Sequence, residues 1–585
     1  MKKYVKYTVG TLCLALVSCD YLDPRMMTQI DEKDVYNNMT YITQSYTNAF
    51  SYLPSGFLSV GNSLLACATD EAESVYPDQS IQSYNTGSWD MYSNPDGRWE
   101  TNYNGIRQCC DVRDGIATYD FGDMEHARPQ EYAARRATLE RYLNELRFLK
   151  AFYHYELVKR YGGVPIVDKK LDVNDPDDLH LLQHAKRNTF EECIDFIVGE
   201  CDAVAPLLPT TYEGAELGHI TRGAALALKS RVLLMAASDL YNQLGNTNPY
   251  IGYISGNRSD RWAAAAAAAQ EVIDLNLYDL HTSYSELFLL PASNTTCKEA
   301  IWGRRTSQTR NMELYNYPIG YNGGQTSTCP SQDLVDAYEM KDGTLFDWNN
   351  AAHAAAPYAN RDPRLKFSIL TNGDTWCGRE VEIWEGGQDG LPRQYATKTG
   401  YYLKKFLHDN QDLVGSSATT TRVWHFFRYG EILLNYAEAA NRCGGPDYTV
   451  PGAIYPLTAV EALNKIRARA GVEMPDVNTT LAARGLSLDQ TNLETLILNE
   501  RRVELAFEDF RWFDARRLMK APAALGGPIH GVRVVKGTHT PYIYTPFVVE
   551  QRVFNTASMY FYPIPQSEIS KSNGEMVQNP GWKSM

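Results

Sequence analysis

The sequence lacks any hydrophobic run long enough to cross a membrane. A helix that spans a hydrocarbon core of ~30 Å needs about 18 or more apolar residues in a row, and no segment reaches that length. Basic residues are also few, because the net charge is -14 and no Lys/Arg run exceeds three residues. A negative surface repels phosphate backbones, so we expect no nucleic-acid partner.

Motifs for metal binding and catalysis are missing as well. The 11 cysteines are scattered, with no CxxC pair, and HExxH, GxSxG, GxxxxGK[ST] and GxGxxG do not occur. His154 and His184 are isolated in the sequence. We therefore predict no metal site, no cofactor and no catalytic residues, and we interpret the cysteines as small buried hydrophobes.

The N-terminus has the pattern of an export signal. Three lysines in the first six residues precede eleven mostly apolar residues, 7–17, too short to serve as an anchor helix. The signal ends in "LVSC", which resembles a bacterial lipobox, a motif whose cysteine thiol is diacylated and becomes the first residue. We predict a signal peptide over 1–18 and lipidation at Cys19; the alternative is a cysteine that lies there by chance.

Many segments of the sequence show helical periodicity. Apolar residues recur every three to four positions in several segments, a spacing typical of helices with one buried stripe. Thr221 and Asp260 are predicted helix starts, and Thr491 with Glu494 predicts a capping box. The predicted helices lie within 138–165, 221–243, 260–275, 428–445, 458–472 and 491–517, and Gly162 with Pro165 is expected to end the first.

These helices predict a mainly α fold built as a tetratricopeptide-like superhelix, although no strict 34-residue period is present. Between 281 and 427 the periodicity fades, Gly and Pro accumulate, and strand-like pieces such as "EAIWGRR" and "YYLKKF" appear. We expect an N-terminal helical region over 19–280, a loop-rich middle over 281–427 with a few short strands, and a C-terminal helical region over 428–585.

Nine stretches, in order, resemble the SusD/RagB family of outer-membrane lipoproteins from Bacteroidetes. They cover essentially the whole chain after the signal. They are "CDYLD" at Cys19, "LNELRFLKAFYHYELVKRYGGVPIV" from Leu143, "RWAAAAAAAQEVIDLNLYDL" from Arg261, "PSQDLVDAYEMKDG" from Pro330, "NRDPRL" from Asn360, "FRYGEILLNYAEAANR" from Phe427, "LNKIRARAG" from Leu463, "LILNERRVELAFEDFRWFDARR" from Leu496 and "YPIPQSEISKSNGEMVQNPGW" from Tyr562.

The resemblance implies a surface-exposed lipoprotein, tethered to the outer membrane through Cys19, that captures oligosaccharides. Family members of this kind sit on a SusC-like TonB-dependent transporter and act as the lid through which glycans enter its barrel. No catalysis is implied. A lid for a peptide or another nutrient transporter stays open as an alternative.

Carboxylates in "ERRVELAFEDFRWFD" leave a second alternative, a glycoside hydrolase on a helical scaffold. Glu500, Glu504 and Glu508 fall at i, i+4 and i+8, on one face of a predicted helix, and arginines at 501, 502 and 511 lie among them. We interpret this pattern as an ion-pair network that braces helices rather than as a catalytic pair.

A sugar site needs flat rings for the C–H face of a pyranose and planar polar groups for its hydroxyls. The chain has 39 Tyr and 10 Trp, and the loop 83–106 is the densest in such residues. The resemblance also places a ligand loop in this region. We predict that glycan-binding residues come from this loop and from a facing loop, 313–325: Trp89, Tyr92, Asn94 and Arg98 from the first, and Tyr315, Tyr317 and Tyr321 from the second.

Lipidation is testable by one substitution. Cys19→Ala is expected to leave the fold intact and to release the protein from the membrane, because the acyl chains have no other attachment point. Fractionation of cells that lack the transporter partner measures this. Variant protein that still fractionates with the outer membrane would show that the lipid-anchor interpretation is wrong.

Overall fold

The computed structural model describes residues 35–409, 413, 420–538 and 542–583. Cys19 and the predicted signal peptide lie outside the described residues. Within those ranges, no helix is both long enough and apolar enough to cross a membrane.

Helices dominate the described residues, as predicted. The N-terminal half contains α1 (Met39–Ala49), α2 (Gln82–Thr86), α3 (Trp99–Ala117), α4 (Met124–Ala127), α5 (Pro129–Tyr161), α6 (Pro176–Gln183), α7 (Phe190–Val204), α8 (Arg222–Ala237), α9 (Arg258–Asp274) and α10 (Tyr284–Leu287). The remainder contains α11 (Asn311–Asn316), α12 (Gln332–Ala337), α13 (Ala351–Ala355), α14 (Pro363–Ser368), α15 (Tyr429–Gly444), α16 (Ala459–Arg467), α17 (Val477–Ala483), α18 (Gln490–Glu504), α19 (Phe510–Arg517), α20 (Ala521–Ala524) and α21 (Gln566–Lys571).

The long helices pack in a continuous series. Helix α1 contacts α3, α3 contacts α5, and the series continues through α7, α8 and α9 to α15, which contacts α16 and α18. Small side chains allow close approach in this array, since the buried face of α9 consists largely of alanines. The predicted tetratricopeptide-like helix pairing is confirmed.

The predicted helix starts at Thr221 and Thr458 are confirmed, but the one at Asp260 is not. The Thr221 side chain accepts a hydrogen bond from the Ala224 amide (3.2 Å) at the start of α8, and Thr458 closes a capping box at α16. The prediction of Asp260 as a helix start is wrong, because Asn257 is the N-cap of α9 and accepts from the Ser259 amide.

Helix α5 is longer and more deeply buried than its pattern indicates. It runs for 33 residues and ends at Gly162, whose positive φ of 75° stops the helix where predicted. The prediction of one buried stripe is wrong in its second half, because residues 148–158 are all buried. Helices α1, α3, α7 and α8 all contact α5, so little of its circumference is left for solvent.

The predicted helix 491–517 is two helices. Phe507 and Asp509 adopt positive φ angles of 66° and 64°, and this turn separates α18 from α19. The predicted capping box of Thr491 with Glu494 is also wrong. Asp489 caps α18 by accepting from the Asn492 amide (2.8 Å), and Glu494 pairs with Arg442 of α15 instead.

Short antiparallel ladders join the loop-rich segment to the helices. The strands are β1 (Ala72–Ser74), β2 (Ala300–Thr309), β3 (Thr328–Pro330), β4 (Ile369–Leu370), β5 (Thr375–Trp376), β6 (Arg379–Glu380), β7 (Tyr402–Leu403), β8 (Thr420–Arg428), β9 (Pro528–Lys536) and β10 (Tyr542–Gln551). They pair as β1–β3, β2–β8, β4–β7, β5–β6 and β9–β10. The two predicted strand-like pieces are confirmed as β2 and β7, whereas the hairpin β9–β10 lies where only helices were predicted.

The thiols of the described residues follow the prediction for small hydrophobes. Of the nine cysteines in these ranges none forms a disulfide, and six are buried. Cys377 is the exposed exception.

Buried ion pairs hold the loop-rich segment against α18. Glu504 accepts from Arg428 (2.8 Å), Arg469 (2.8 Å) and Arg364 (3.0 Å). Burial alone would raise the pKa of Glu504, but these three guanidinium charges outweigh it and lower the pKa to about 2. The predicted network is therefore confirmed, although its arginines come from β8, from the turn after α16 and from α14.

The arginines next to these glutamates in sequence pair elsewhere. Arg501 binds Asp514 (2.7 Å), and Arg511 binds Asp70 (2.7 Å) near the N-terminal end of the described chain. These ion pairs therefore join segments that are distant in the sequence, rather than residues of one helix.

Removing the central carboxylate tests this network. Glu504→Gln leaves three buried guanidinium groups without their shared charge, so we expect the free energy of unfolding to fall by about 3–5 kcal/mol. Urea denaturation measures the loss. Glu140→Gln, which removes an exposed partner of Arg136, is the matched control and should change little. Equal effects of the two substitutions would contradict a stabilising role for the network.

Candidate functional site

Trp89, the first aromatic of the predicted ligand loop, lies in the core. Its side chain is 2% exposed, and its ring contacts Tyr84, Tyr562 and Trp582 with centroids 5.1, 5.2 and 4.9 Å away. These rings cover both its face and its edges. The structure therefore corrects the interpretation of Trp89 as a surface platform, because no face of the ring is open to a sugar.

The other three residues of this loop have different surroundings. Tyr92 is 63% exposed and offers an open ring. The Asn94 carboxamide oxygen accepts from the Tyr84 hydroxyl (2.5 Å), so its amide braces the loop. Arg98 donates to the Tyr52 carbonyl (2.8 Å) and lines an internal cavity.

The second predicted loop is also partly core. Tyr317 is 1% exposed and meets Trp376 edge to face at 5.6 Å, so the structure removes it from the surface. The side chains of Tyr315 and Tyr321 are half-buried. The Tyr321 hydroxyl donates to the Trp376 carbonyl (2.9 Å), which fixes the ring orientation.

The structure places the two predicted loops against different parts of the protein. The loop around Trp89 packs on the C-terminal segment, where the Gln566 amide donates to the Met91 carbonyl (3.3 Å). The loop 313–325 packs on residues near 376 and 389. The two loops therefore contact different neighbours, and their arrangement across one groove stays a prediction.

A cluster of three tyrosines, which we call the tyrosine platform, lies beside the second loop instead: Tyr76, Tyr315 and Tyr395. The rings of Tyr76 and Tyr395 lie 4.9 Å apart, and Tyr395 is 43% exposed. Partial burial raises the pKa of Tyr76, and the nearby side chains of Tyr395, Cys329 and Tyr315 raise it further. The Tyr315 carbonyl accepts from the Ser327 amide (2.6 Å), so Tyr315 lies next to the backbone that leads to Tyr76.

The platform is held by backbone structure. Strand β1 pairs with β3, and the Val75 amide donates to the Ser327 carbonyl (3.2 Å), which sets the direction of the next residue. The Tyr76 hydroxyl donates to the Gln325 carbonyl (2.6 Å). Tyr395 has a positive φ of 61° at the end of the exposed loop 391–395. An aromatic ring fixed in this way loses little conformational entropy when a ligand binds.

A second flat group, the Arg379 guanidinium, adjoins the loop 313–325. The Arg379 guanidinium lies 3.6 Å from the Tyr321 ring centroid and forms two bonds to the Asp389 carboxylate (2.7 and 2.8 Å). Asp389 is fully buried and also accepts from the Gly320 amide (3.1 Å). This stacked pair combines a planar surface with charged hydrogen-bond donors, the combination that a polyol requires.

Sequence reasoning missed Tyr76, Arg379 and Tyr395. Tyr76 precedes a Pro77–Asp78 turn, and Tyr395 follows the glycine-rich run "GGQDGLP", so loop position alone could have suggested both. Arg379 gave no such signal, because its orientation depends on its contacts with Asp389 and Tyr321.

The glutamates that suggested a glycosidase are committed to ion pairs. Glu500 is 1% exposed and binds Arg467 (2.7 Å), and Glu508 binds Arg428 (2.8 Å) and Lys405 (2.8 Å). Each carboxylate therefore has a structural partner inside the protein.

Comparison with known proteins identifies similar sequences and folds. Residues 298–582 match the model of the SusD family, and residues 20–234 match a family model described as starch-binding associating with outer membrane. SusD-like protein P38 of Formosa agariphila is 38% identical over 405 residues, which cover 67% of this chain and 69% of the relative.

Solved structures agree with the sequence matches. A SusD-like protein from Bacteroides fragilis superimposes with a TM-score of 0.72 at 26% identity, over 94% of this chain and 98% of that protein. A SusD-like carbohydrate binding protein from the same species gives a TM-score of 0.70 at 22% identity, over 92% and 99% of the two chains.

The burial of Trp89 in the core is tested by measuring the free energy of unfolding. Trp89→Ala should lower the free energy of unfolding by about 3–5 kcal/mol, because it empties a site enclosed by three aromatic rings. Tyr92→Ala, three residues away but exposed, is the control and should stay within about 0.5 kcal/mol of the original protein. Guanidinium denaturation followed by fluorescence compares them. A Trp89→Ala protein as stable as the control would place the ring outside the core.

Proposed function

The chain belongs to the SusD family, and from this membership we propose that it is a surface glycan-binding lipoprotein that passes oligosaccharides to a SusC-like TonB-dependent transporter. The family is one of SusD-like carbohydrate-binding proteins associated with the outer membrane. We propose that the anchor is an acylated Cys19, that the lipoprotein faces outward, and that it binds its ligand without chemical conversion.

The tyrosine platform is the observation that supports glycan binding most directly. Tyr76 and Tyr395 present neighbouring rings, and Arg379 stacked on Tyr321 adds a second planar group beside the loop 313–325. Successive sugar units could each cover one flat group. We propose that Tyr76, Tyr315, Tyr321, Arg379 and Tyr395 form the binding surface.

The size of each contact sets the expected affinity. A pyranose face that covers ~40 Å² of a ring contributes on the order of 1 kcal/mol at about 25 cal/mol/Å². Millimolar binding corresponds to about 4 kcal/mol, so several rings and hydrogen bonds must act together. Weak binding of this kind suits a protein that releases its ligand to a transporter.

Substitution of the exposed platform ring tests this proposal. Tyr395→Ala should weaken oligosaccharide binding about fivefold, since one ring contact of ~1 kcal/mol is lost. Isothermal titration against a panel of oligosaccharides measures it. Tyr455→Ala is the matched control, because Tyr455 is 46% exposed but lies beside Asn276 in another region, and it should bind as the original protein does.

A third variant separates the two candidate loops. Tyr92→Ala should leave binding unchanged if the platform is the site, whereas a loss of binding with Tyr92→Ala alone would return the site to the loop 83–106. A folded protein that binds no glycan of a broad panel, and that recovers no barrel transporter from solubilised outer membrane, would refute the proposed function.

A further inference from the structure

A cavity of about 200 Å³ lies inside the protein, away from the tyrosine platform. Residues from α5 and α19 line its interior, and the loop residues Ser55, Ser59 and Gly97 are exposed at its mouth. Its volume exceeds that of several waters at ~30 Å³ each but is below the ~300 Å³ of a typical drug-sized site. It has room for a small ion or for one substituted sugar.

Arg516 lines this cavity and has a donor without a partner among the described residues. The side chain is 2% exposed, and its Nε donates to the Tyr560 carbonyl (2.9 Å). Its Nη1 is shielded from solvent and has no partner among the described residues. A buried guanidinium group that lacks a carboxylate is costly, because the desolvation of its charge is not compensated.

Arg98 lines the same cavity nearer the mouth and is incompletely paired too. Its Nη2 donates to the Tyr52 carbonyl, while its Nε is shielded and unpartnered within the described residues. Burial, followed by the charge of Arg160, lowers the pKa of Arg98, and burial also lowers that of Arg516. Neither arginine has a carboxylate within 4.0 Å in the described part of the chain.

The other cations that line the cavity are paired with carboxylates, and Lys159 binds Glu156 (2.5 Å). Arg160 binds Asp96 (2.8 Å) and Glu156 (2.7 Å), and Arg231 binds Glu431 (2.6 Å). Arg501 and Arg517 share Asp514, each at 2.7 Å. The lining therefore carries an excess of positive charge at Arg98 and Arg516.

Among the described residues, Asp509 is the carboxyl group of the cavity lining that has no salt bridge, and it does not cancel the excess of positive charge. Asp509 lines the cavity, and its Oδ1 is shielded with no partner among the described residues. Burial, together with the charge of Asp96, raises the pKa of Asp509 to about 8 against the opposing charges of Lys159 and Arg160. A raised pKa favours the neutral form of this carboxyl group.

From these contacts we propose that the cavity is a binding site for a small oxyanion of the sulfate or carboxylate type, held between Arg98 and Arg516. Guanidinium groups match oxyanions in geometry as well as in charge, and such charge-assisted bonds are about twice as strong as neutral ones. The oxyanion is either a free ion or a sulfate or carboxylate substituent of a sugar. This site is separate from the tyrosine platform and does not rest on the proposed function.

Calorimetric titration with sodium sulfate, sodium glucuronate and glucose 6-sulfate, at constant ionic strength, tests the site and distinguishes the sources. Saturable sulfate binding identifies a free ion, and tighter binding of glucuronate or glucose 6-sulfate than of sulfate identifies a sugar substituent. Glucose is the neutral reference and should give no saturable signal in the cavity. Absence of saturable binding for all three anions to the folded protein would overturn the proposal.

Variants assign the binding to the cavity. Arg98→Gln should weaken anion binding at least tenfold, and Arg516→Lys, which keeps the charge but removes the planar fork, should also weaken it. Arg305→Gln is the matched control, because Arg305 lines a different groove, and its shielded Nη1 has no partner in the described part of the chain; this variant should not affect the titration. Anion binding that survives both Arg98→Gln and Arg516→Lys would overturn the assignment.

Two checks keep the result interpretable. Urea midpoints confirm that Arg98→Gln and Arg516→Lys are folded, and a binding loss counts only in a folded variant. Tyr395→Ala should leave the sulfate titration unchanged, so that failure of the oxyanion site and failure of the glycan platform are observed separately.

Discussion

The shared carboxylate of Glu504 is the contact on which the rest of the structure depends. It joins guanidinium groups from α14, β8 and the turn after α16, so three segments far apart in sequence must arrive together. A partly assembled group of buried charges is less stable than none, because each unpaired charge keeps its desolvation penalty. The network therefore favours a single arrangement of the loop-rich segment on the helices.

This rigidity explains how a protein with long loops can present a defined surface. Tyr76 follows a strand that is paired with β3, and Arg379 is held by a fully buried Asp389. Both groups are oriented before any ligand arrives, which reduces the entropic cost of binding. Inside the molecule, Arg98 and Arg516 line one cavity, and a backbone carbonyl holds each of them.

Periodicity predicted α5, α8, α9, α15 and α16, and a capping residue predicted the helix start at Thr221, because these signals are local. They failed where a distant partner decides the outcome. Glu494 pairs with Arg442 instead of closing a capping box, and the turn at Phe507 and Asp509 interrupts a pattern that reads as one helix. Sequence also indicated which loops are aromatic but not which rings face outward. Trp89 is covered by Tyr562 and Trp582, more than 470 residues away in the chain, while the comparable Tyr395 is open.

The loop 391–395 has a different relation to the fold from that of the helices. Its residues are exposed, and Glu504 and its arginines lie in other segments. The proposed tyrosine platform can therefore vary at Tyr395 with little effect on folding. Replacement of this loop offers a way to change the ligand of the proposed site while the scaffold stays the same.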